Sequence, residues 1–260
     1  MTEEKQTYGK DLAVMNSTET LTIKKETLDR LRKEITRFSM VYKFALDEVN
    51  TKVNILKEEF RLIHDYNPIE HVNSRVKSPD SLYRKLQRKK LAPSITSIQE
   101  SIKDIAGIRI ICSFVSDIYR ISEMIQAQSD IEVVEVKDYI QHPKPNGYQS
   151  LHIIMKIPVF MSDRIEHVYV EMQIRTIAMD FWASLEHKIY YKYNKQVPEH
   201  LTRQLKEAAN TVAELDLKME TINNEINILK EQNSSDTPEE LLIDPREIML
   251  QMVGKGMLKE

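Results

Sequence analysis

The stretch His167-Val168-Tyr169-Val170-Glu171-Met172-Gln173-Ile174-Arg175 sets an aliphatic residue at every even position and leaves the odd ones to polar or amphipathic side chains. A period of two marks a half-buried strand, because successive side chains leave opposite faces of a sheet. Glu171, Gln173 and Arg175 therefore share a face. Three such groups are too costly to bury as decoration, so they are expected to line a site. The strand runs directly into Thr176-Ile177-Ala178-Met179-Asp180-Phe181-Trp182-Ala183-Ser184-Leu185-Glu186-His187-Lys188, which reads as a helix.

Outward from this strand the same period recurs. Strands are expected near 69–77, 107–113, 131–139, 151–160 and 164–175, with helices near 80–91, 94–103, 116–128 and 177–193. Five strands interleaved with short helices make an α/β or α+β core. Before it, Leu28, Leu31, Ile35, Phe38, Tyr42, Ala45, Val49, Val53, Leu56, Phe60 and Ile63 step by three and four, an amphipathic helix ended by Asn67-Pro68. After Val197-Pro198, Leu201, Leu205, Ala208, Val212, Leu215, Met219, Ile222, Ile226 and Leu229 alternate steps of four and three, the seam of a coiled coil or long helix pair. Ser234-Ser235-Asp236-Thr237-Pro238 reads as a break with an N-cap before a short last helix. The expected division is a loose tail over 1–20, an N-terminal helical segment over 21–66, a catalytic core over 67–195 and a C-terminal helical oligomerisation segment over 196–260. Both helical stripes are longer than the core needs for cover, so they are expected to build a homo-oligomer, with a helix pair inside one chain as the alternative.

Composition narrows the function. The 260 residues carry a formal net charge of −3, which argues against nucleic acid as the main partner while allowing a local basic cleft. The single cysteine, Cys112, sits in an apolar run and reads as core filler, in keeping with a reducing compartment. No apolar signal region opens the chain and no run of about 18 apolar residues occurs, so a cytoplasmic protein without a membrane span is expected. Only five glycines occur, and neither G-x-x-x-x-G-K nor G-x-G-x-x-G is present. A nucleotide would have to be held by side chains.

Four clusters supply such side chains. Arg75 and Lys77 alternate onto one strand face, and Ser81 and Lys85 lie a turn apart at the following helix start, with Arg84, Arg88, Lys89 and Lys90 nearby. Fixed cations beside helix N–H donors suit a polyphosphate, though a solvated basic face has the same pattern. Asp104 precedes the apolar strand Ile105-Ala106-Gly107-Ile108-Arg109-Ile110-Ile111. Gly107 permits close backbone approach there, and Arg109 needs a base to stack on or a carboxylate to pair with. Pro143-Lys144-Pro145-Asn146-Gly147-Tyr148 forms a shaped loop that presents Lys144, Tyr148 and His152, as a purine nucleotide requires; a plain turn with a packed Tyr is the alternative. In the fourth cluster, Glu171 with Asp104 offers two hard-oxygen ligands to one Mg2+. His64-Asp65 reads as a helix-end polar pair, and no zinc pattern is present.

In this order, R-V-K-x3-S-x3-K, D-I-A-G-I-R-I, K-D-Y-I-x2-P-K-x-N-G-Y-x-S-L-H and V-E-M-Q-I-R-T-x-A-M-D-F-W-A-S-L-E-H-K resemble the RelA/SpoT synthetase domain, in the small alarmone synthetase form, over roughly 40–232. The resemblance implies a nucleotidyltransferase-like mixed five-stranded sheet. It implies transfer of the β,γ-pyrophosphate of ATP to the 3′-hydroxyl of GDP or GTP, giving ppGpp or pppGpp and AMP, without hydrolase activity. By the same resemblance Arg75, Lys77, Ser81, Lys85 and Arg88 hold the ATP phosphates and Arg109 stacks on adenine. Asp104 and Glu171 bind Mg2+, and Glu171 is also the base. Tyr148 stacks on guanine, while Lys144, Asn146, His152, Gln173 and Arg175 make acceptor contacts. A homotetramer is implied too. The departures are His71, Asn73 and Asp180, which stand where product-regulated relatives carry an aromatic residue, Thr and Asn; Asp180 is expected to repel a polyphosphate. A relative that modifies the tRNA 3′ end, or a non-enzymatic helix-paired scaffold, are the competing readings.

Overall fold

One row of side chains crosses the whole sheet: Asn73, Arg109, Gln173, His152 and Lys137 are register partners on five successive strands. The computed structural model describes residues 25–64, 66–92, 94–192 and 198–234. Its strands are β1 (Ile69–Val76), β2 (Ala106–Cys112), β3 (Glu132–Asp138), β4 (Leu151–Phe160) and β5 (Ile165–Thr176), in spatial order β1-β2-β5-β4-β3. β2 and β5 are parallel and the other pairs antiparallel, so the sheet is mixed as expected. The helices are α1 (Lys25–Ile63), α2 (Pro79–Lys89), α3 (Ile95–Ser101), α4 (Val115–Gln126), α5 (Ile177–Lys192) and α6 (Glu199–Ser234). The tail expected over 1–20 and the last helix after Ser235 lie outside the described residues.

The two faces of the sheet have opposite chemistry. Ala106, Ile108, Ile110 and Cys112 on β2, Ile153, Met155 and Ile157 on β4, and Val170, Met172 and Ile174 on β5 are buried in one cluster with Ile118, Ile121 and Ile125 of α4 and Val41, Tyr42, Ala45, Val49, Val53 and Phe60 of α1. The period of two on the strands meets the period of 3.6 on the helices, and that match makes the core. Cys112 is fully buried there, and burial pushes its thiol up, as core filler requires.

The N-terminal stripe therefore has a different job from the one its length suggests. From Phe38 to Phe60 it covers the chain's own sheet, whereas Ile35 and Ile63 at its ends are exposed. A sheet with one polar, site-lining face needs its other face covered, and α4 at 12 residues is too short to do this alone. The helix also stops at Ile63, before the Asn67-Pro68 expected to end it.

The C-terminal seam is likewise redistributed. In the unit that ends at Lys218, α6 turns Leu205, Ala209, Val212 and Asp216 inward, while Leu215 is exposed. The inward face keeps Leu205 and Val212 of the expected seam and takes Ala209 and Asp216 where the seam has Ala208 and Leu215. In the unit that begins at Met219, the described part of α6 leaves Met219, Ile222, Ile226 and Leu229 about half exposed.

Candidate active site

The polar face of the sheet floors a cleft of about 270 Å³ lined by Arg75, Lys77, Asp104, Gly107, Arg109, Glu171 and Gln173. An adjoining cleft adds Ser81, Arg84, Lys85, Arg88 and His187. All the residues expected to hold ATP therefore meet here. Lys77 and Lys85 both donate to Asp104 Oδ2, at 2.8 and 2.5 Å. Burial alone would raise the Asp104 carboxyl, but the two ammonium groups outweigh it and hold it below the usual range. Asp104 Oδ1 is buried and has no partner among the described residues. Two sequence expectations change. The Ser81 N–H at the start of α2 is taken by the Ser78 cap at 3.3 Å, so it is not offered to a phosphate. A β-carbon on Gly107 would meet the backbone only at an ordinary 3.9 Å, so close approach does not demand glycine there; the bare position lies on the cleft floor.

Glu171 lies beside this half. Its Oε2 accepts from Gln173 Nε2 at 3.0 Å, and His152 Nδ1 approaches its Oε1 at 3.4 Å. Burial pushes the carboxyl up and Asp104 adds to that, but His152 and Gln173 outweigh both, so Glu171 stays ionised at neutral pH. His152 itself is lowered, first by burial, so its ring is neutral at pH 7. A neutral ring facing a carboxylate carries its proton on Nδ1 and accepts at Nε2. The Tyr148 hydroxyl supplies that bond at 2.8 Å. Tyr148 in turn accepts from Arg175 Nη2.

The residues expected on the acceptor side are tied to one another. Arg175 is only 4 % exposed. It donates to Ser150 Oγ, Asp180 Oδ1, Tyr148 Oη and Gln173 Oε1, so it stands behind the site and fixes Tyr148 in place. Asn146 shapes the loop: its Oδ1 accepts the Tyr148 N–H at 3.2 Å and its Nδ2 donates to Glu186. Lys144 Nζ lies 4.5 Å from the Tyr139 ring centre and 4.6 Å from that of Tyr148. Gly147 has φ +89°, and a β-carbon there would lie 2.5 Å from the Ala209 β-carbon of α6. Glycine is required at this position for both backbone and packing.

Asp180 departs from expectation. Its carboxylate does not stand open to repel a polyphosphate: Oδ1 accepts from Arg109 Nη1 at 3.0 Å and Arg175 Nη1 at 3.1 Å. The carboxylate that Arg109 required is thus Asp180, while Asp104 serves the two lysines.

The profile described as a region found in RelA / SpoT proteins matches residues 74–196. The chain is 56% identical over 187 residues to the Bacillus subtilis GTP pyrophosphokinase YwaC, covering 72% of this chain and 89% of that one. The chain belongs to the RelA/SpoT family. Among solved structures, small alarmone synthetase 2 of Bacillus subtilis superposes with a TM-score of 0.68 at 53% identity, covering 74% of this chain and 99% of that one. Small alarmone synthetase 1 of Bacillus subtilis, solved with its product pppGpp, gives 0.70 at 38% identity, over 75% and 98%.

Sequence reasoning gave no role to several residues that the structure brings to this RelA/SpoT site. Arg84, named only as a neighbour of the phosphate set, had a signal, since Ser81, Arg84, Lys85 and Arg88 follow helical spacing on one face. Tyr139, Ser150, Glu186 and His187 stand within the quoted motifs, but tertiary packing alone brings them to the site. The carboxylate pair fits a divalent cation. Asp104 Oδ1 is an orphaned buried oxygen beside Glu171, and two carboxylates completed by phosphate oxygens and water suit Mg2+ better than a full protein cage.

Proposed function

We propose that this RelA/SpoT protein transfers the β,γ-pyrophosphate of ATP to the 3′-hydroxyl of GDP or GTP, producing ppGpp or pppGpp and AMP, by synthesis alone. The observation that carries the proposal is the buried Asp104 oxygen, without a partner among the described residues, in the same cleft as ionised Glu171 and the paired cations Lys77 and Lys85. Glu171 takes the proton of the 3′-hydroxyl. That oxygen bonds to the β-phosphorus as the bond from this phosphorus to the α,β-bridging oxygen breaks, and AMP leaves with the bridging oxygen. Arg75, Lys77, Lys85 and Arg88 offset the phosphate charge, with the Ser81 hydroxyl as a further donor to the phosphates, and this is most of what phosphoryl-type transfer asks of a protein. Arg109 carries the adenine. Tyr148 carries the guanine, steadied by Arg175, with Lys144, Asn146, His152 and Gln173 around it. Asp104 and Glu171 would hold Mg2+, which supplies charge neutralisation at the phosphates.

The deciding experiment incubates the purified protein with ATP labelled in the γ-phosphate and with GDP, GTP or tRNA. Label is expected in the guanosine nucleotide with an equal amount of AMP. Label in tRNA, or no transfer at all, overturns the reading.

The exposed apolar positions of α6, Leu215, Met219, Ile222, Ile226 and Leu229, support assembly with further copies, for which we propose a homotetramer. Light scattering tests this, and a mass near 30.5 kDa refutes it. No described helix is long and apolar enough to cross a membrane, and with the buried lone thiol this supports a cytoplasmic location.

A further inference from the structure

Arg109 on β2 and Arg175 on β5 belong to different halves of the site, yet their guanidinium groups converge. β2 and β5 are parallel neighbours, and Arg175 lies one step along the same face from Gln173, the register partner of Arg109. Two like charges this close need a common anion. It comes from α5, which follows β5 without a loop. Thr176 Oγ1 accepts the Met179 N–H at 3.0 Å and donates to the buried Asp216 of α6 at 2.7 Å. This pins the first turn of α5 and with it Asp180, whose negative charge also suits a helix start. One oxygen, Oδ1, receives both Arg109 Nη1 and Arg175 Nη1.

We propose that Asp180 is a positioning residue that sets the donor-side and acceptor-side arginines from a single carboxylate oxygen, tying the two nucleotide half-sites together. The proposal rests on the reading above, in which Arg109 meets ATP and Tyr148 meets the acceptor base. Arg109 keeps about a third of its side chain exposed on the cleft, and its buried Nε has no partner among the described residues, so Asp180 fixes its plane. Arg175 is buried and acts on the acceptor through two neighbours, the Tyr148 hydroxyl and Gln173 Oε1. Asp180 thus touches neither nucleotide and orients a contact to each. An ion pair serving stability alone would lower the melting temperature without changing either nucleotide's binding.

The test compares Asp180→Ala and the milder Asp180→Asn by steady-state kinetics, thermal melting and calorimetric Kd values for a non-hydrolysable ATP analogue and for GDP. Asp180→Ala is expected to raise both KM values, and both Kd values, about tenfold, the loss of one charge-assisted hydrogen bond at about 1.4 kcal/mol. kcat with both nucleotides saturating falls less. Asp180→Asn, which keeps an acceptor oxygen, lies between. In an Arg109→Ala background Asp180→Ala no longer affects ATP but still affects the acceptor. In a Tyr148→Phe background, which keeps the ring and removes the hydroxyl, the acceptor effect shrinks. Folded Asp180 variants that bind both nucleotides as the wild type does, or that change only one, overturn the proposal. The Kd values need no turnover, so a failed transfer assay counts against the proposed reaction alone, whereas a wild type that binds neither nucleotide overturns both.

Discussion

On the β1–β2 side of the cleft, cations outnumber their anions: Lys77 and Lys85 share one oxygen of Asp104 while its other oxygen is buried with no partner among the described residues. On the β4–β5 side the residues answer one another in a directed series, from Arg175 to Tyr148, Tyr148 to His152 and His152 to Glu171. The β1–β2 half is therefore an excess of fixed charge and the β4–β5 half a finished scaffold, which fits the proposed placing of ATP on the first and the guanosine acceptor on the second. A triphosphate brings charge that any well-placed cation engages, whereas a neutral base is held by shape and stacking, which demand rigid placement.

That contrast breaks most sharply at Glu171, where the halves meet. Glu171→Gln keeps the shape and removes the base, and turnover at saturating Mg2+ and nucleotides is expected to fall about 10²–10⁴-fold. A folded variant with near wild-type turnover removes Glu171 from its role.

Tyr148→Ala sharpens the acceptor side. Loss of one stacking ring is expected to raise the GDP or GTP KM roughly 5- to 150-fold, for about 1–3 kcal/mol, and to leave the ATP KM nearly unchanged. A rise in the ATP KM alone shows that the two nucleotide sites are interchanged.

Arg109→Ala should do the reverse more weakly, raising the ATP KM about 2- to 30-fold for a cation–π contact of roughly 0.5–2 kcal/mol. If the acceptor KM rises as far in this variant, the donor role given to Arg109 is wrong.

The smallest effect is on stability against pH. His152 is held below its ordinary value, first by burial, so the unfolded chain binds the extra proton and stability falls as pH drops below about 6.5. Asp104 and Glu171 are also held low, with burial opposed and outweighed by their partners. Their stabilisation is complete above the unfolded carboxylate values near about 4 and is lost as pH falls through the depressed folded ones. Melting curves of metal-free protein should show two acid stages. His152→Gln should remove the first and Asp104→Asn should flatten the second. A melting temperature constant from pH 7 to 5 in the wild type contradicts the neutral, buried histidine.

Much of this was legible in the residues. The alternation in β5 placed Glu171 and Gln173 on the face where they now line the cleft, and the spacing of Ser81 and Lys85 put both on one side of α2. The part not legible concerns direction within the fold. Arg175 obeys the same alternation as Gln173 but is buried, because α5 follows immediately and its Asp180 closes over it. Leu215 obeys the seam but is exposed, because α6 packs Ala209 and Val212 against Trp182 and Ala183 and turns Asp216 inward to Thr176 in its place.

By itself the sequence determined which side chains exist to do the chemistry and which faces of each strand and helix are apolar, since both follow from local periods of 2 and 3.6 residues. Only the tertiary structure decided that α1 covers the sheet, that Gly147 must be glycine against Ala209, and that one oxygen of Asp180 serves two arginines. Those facts arise between segments dozens of residues apart, where sheet order and helix placement set the distances, and no local period carries that information.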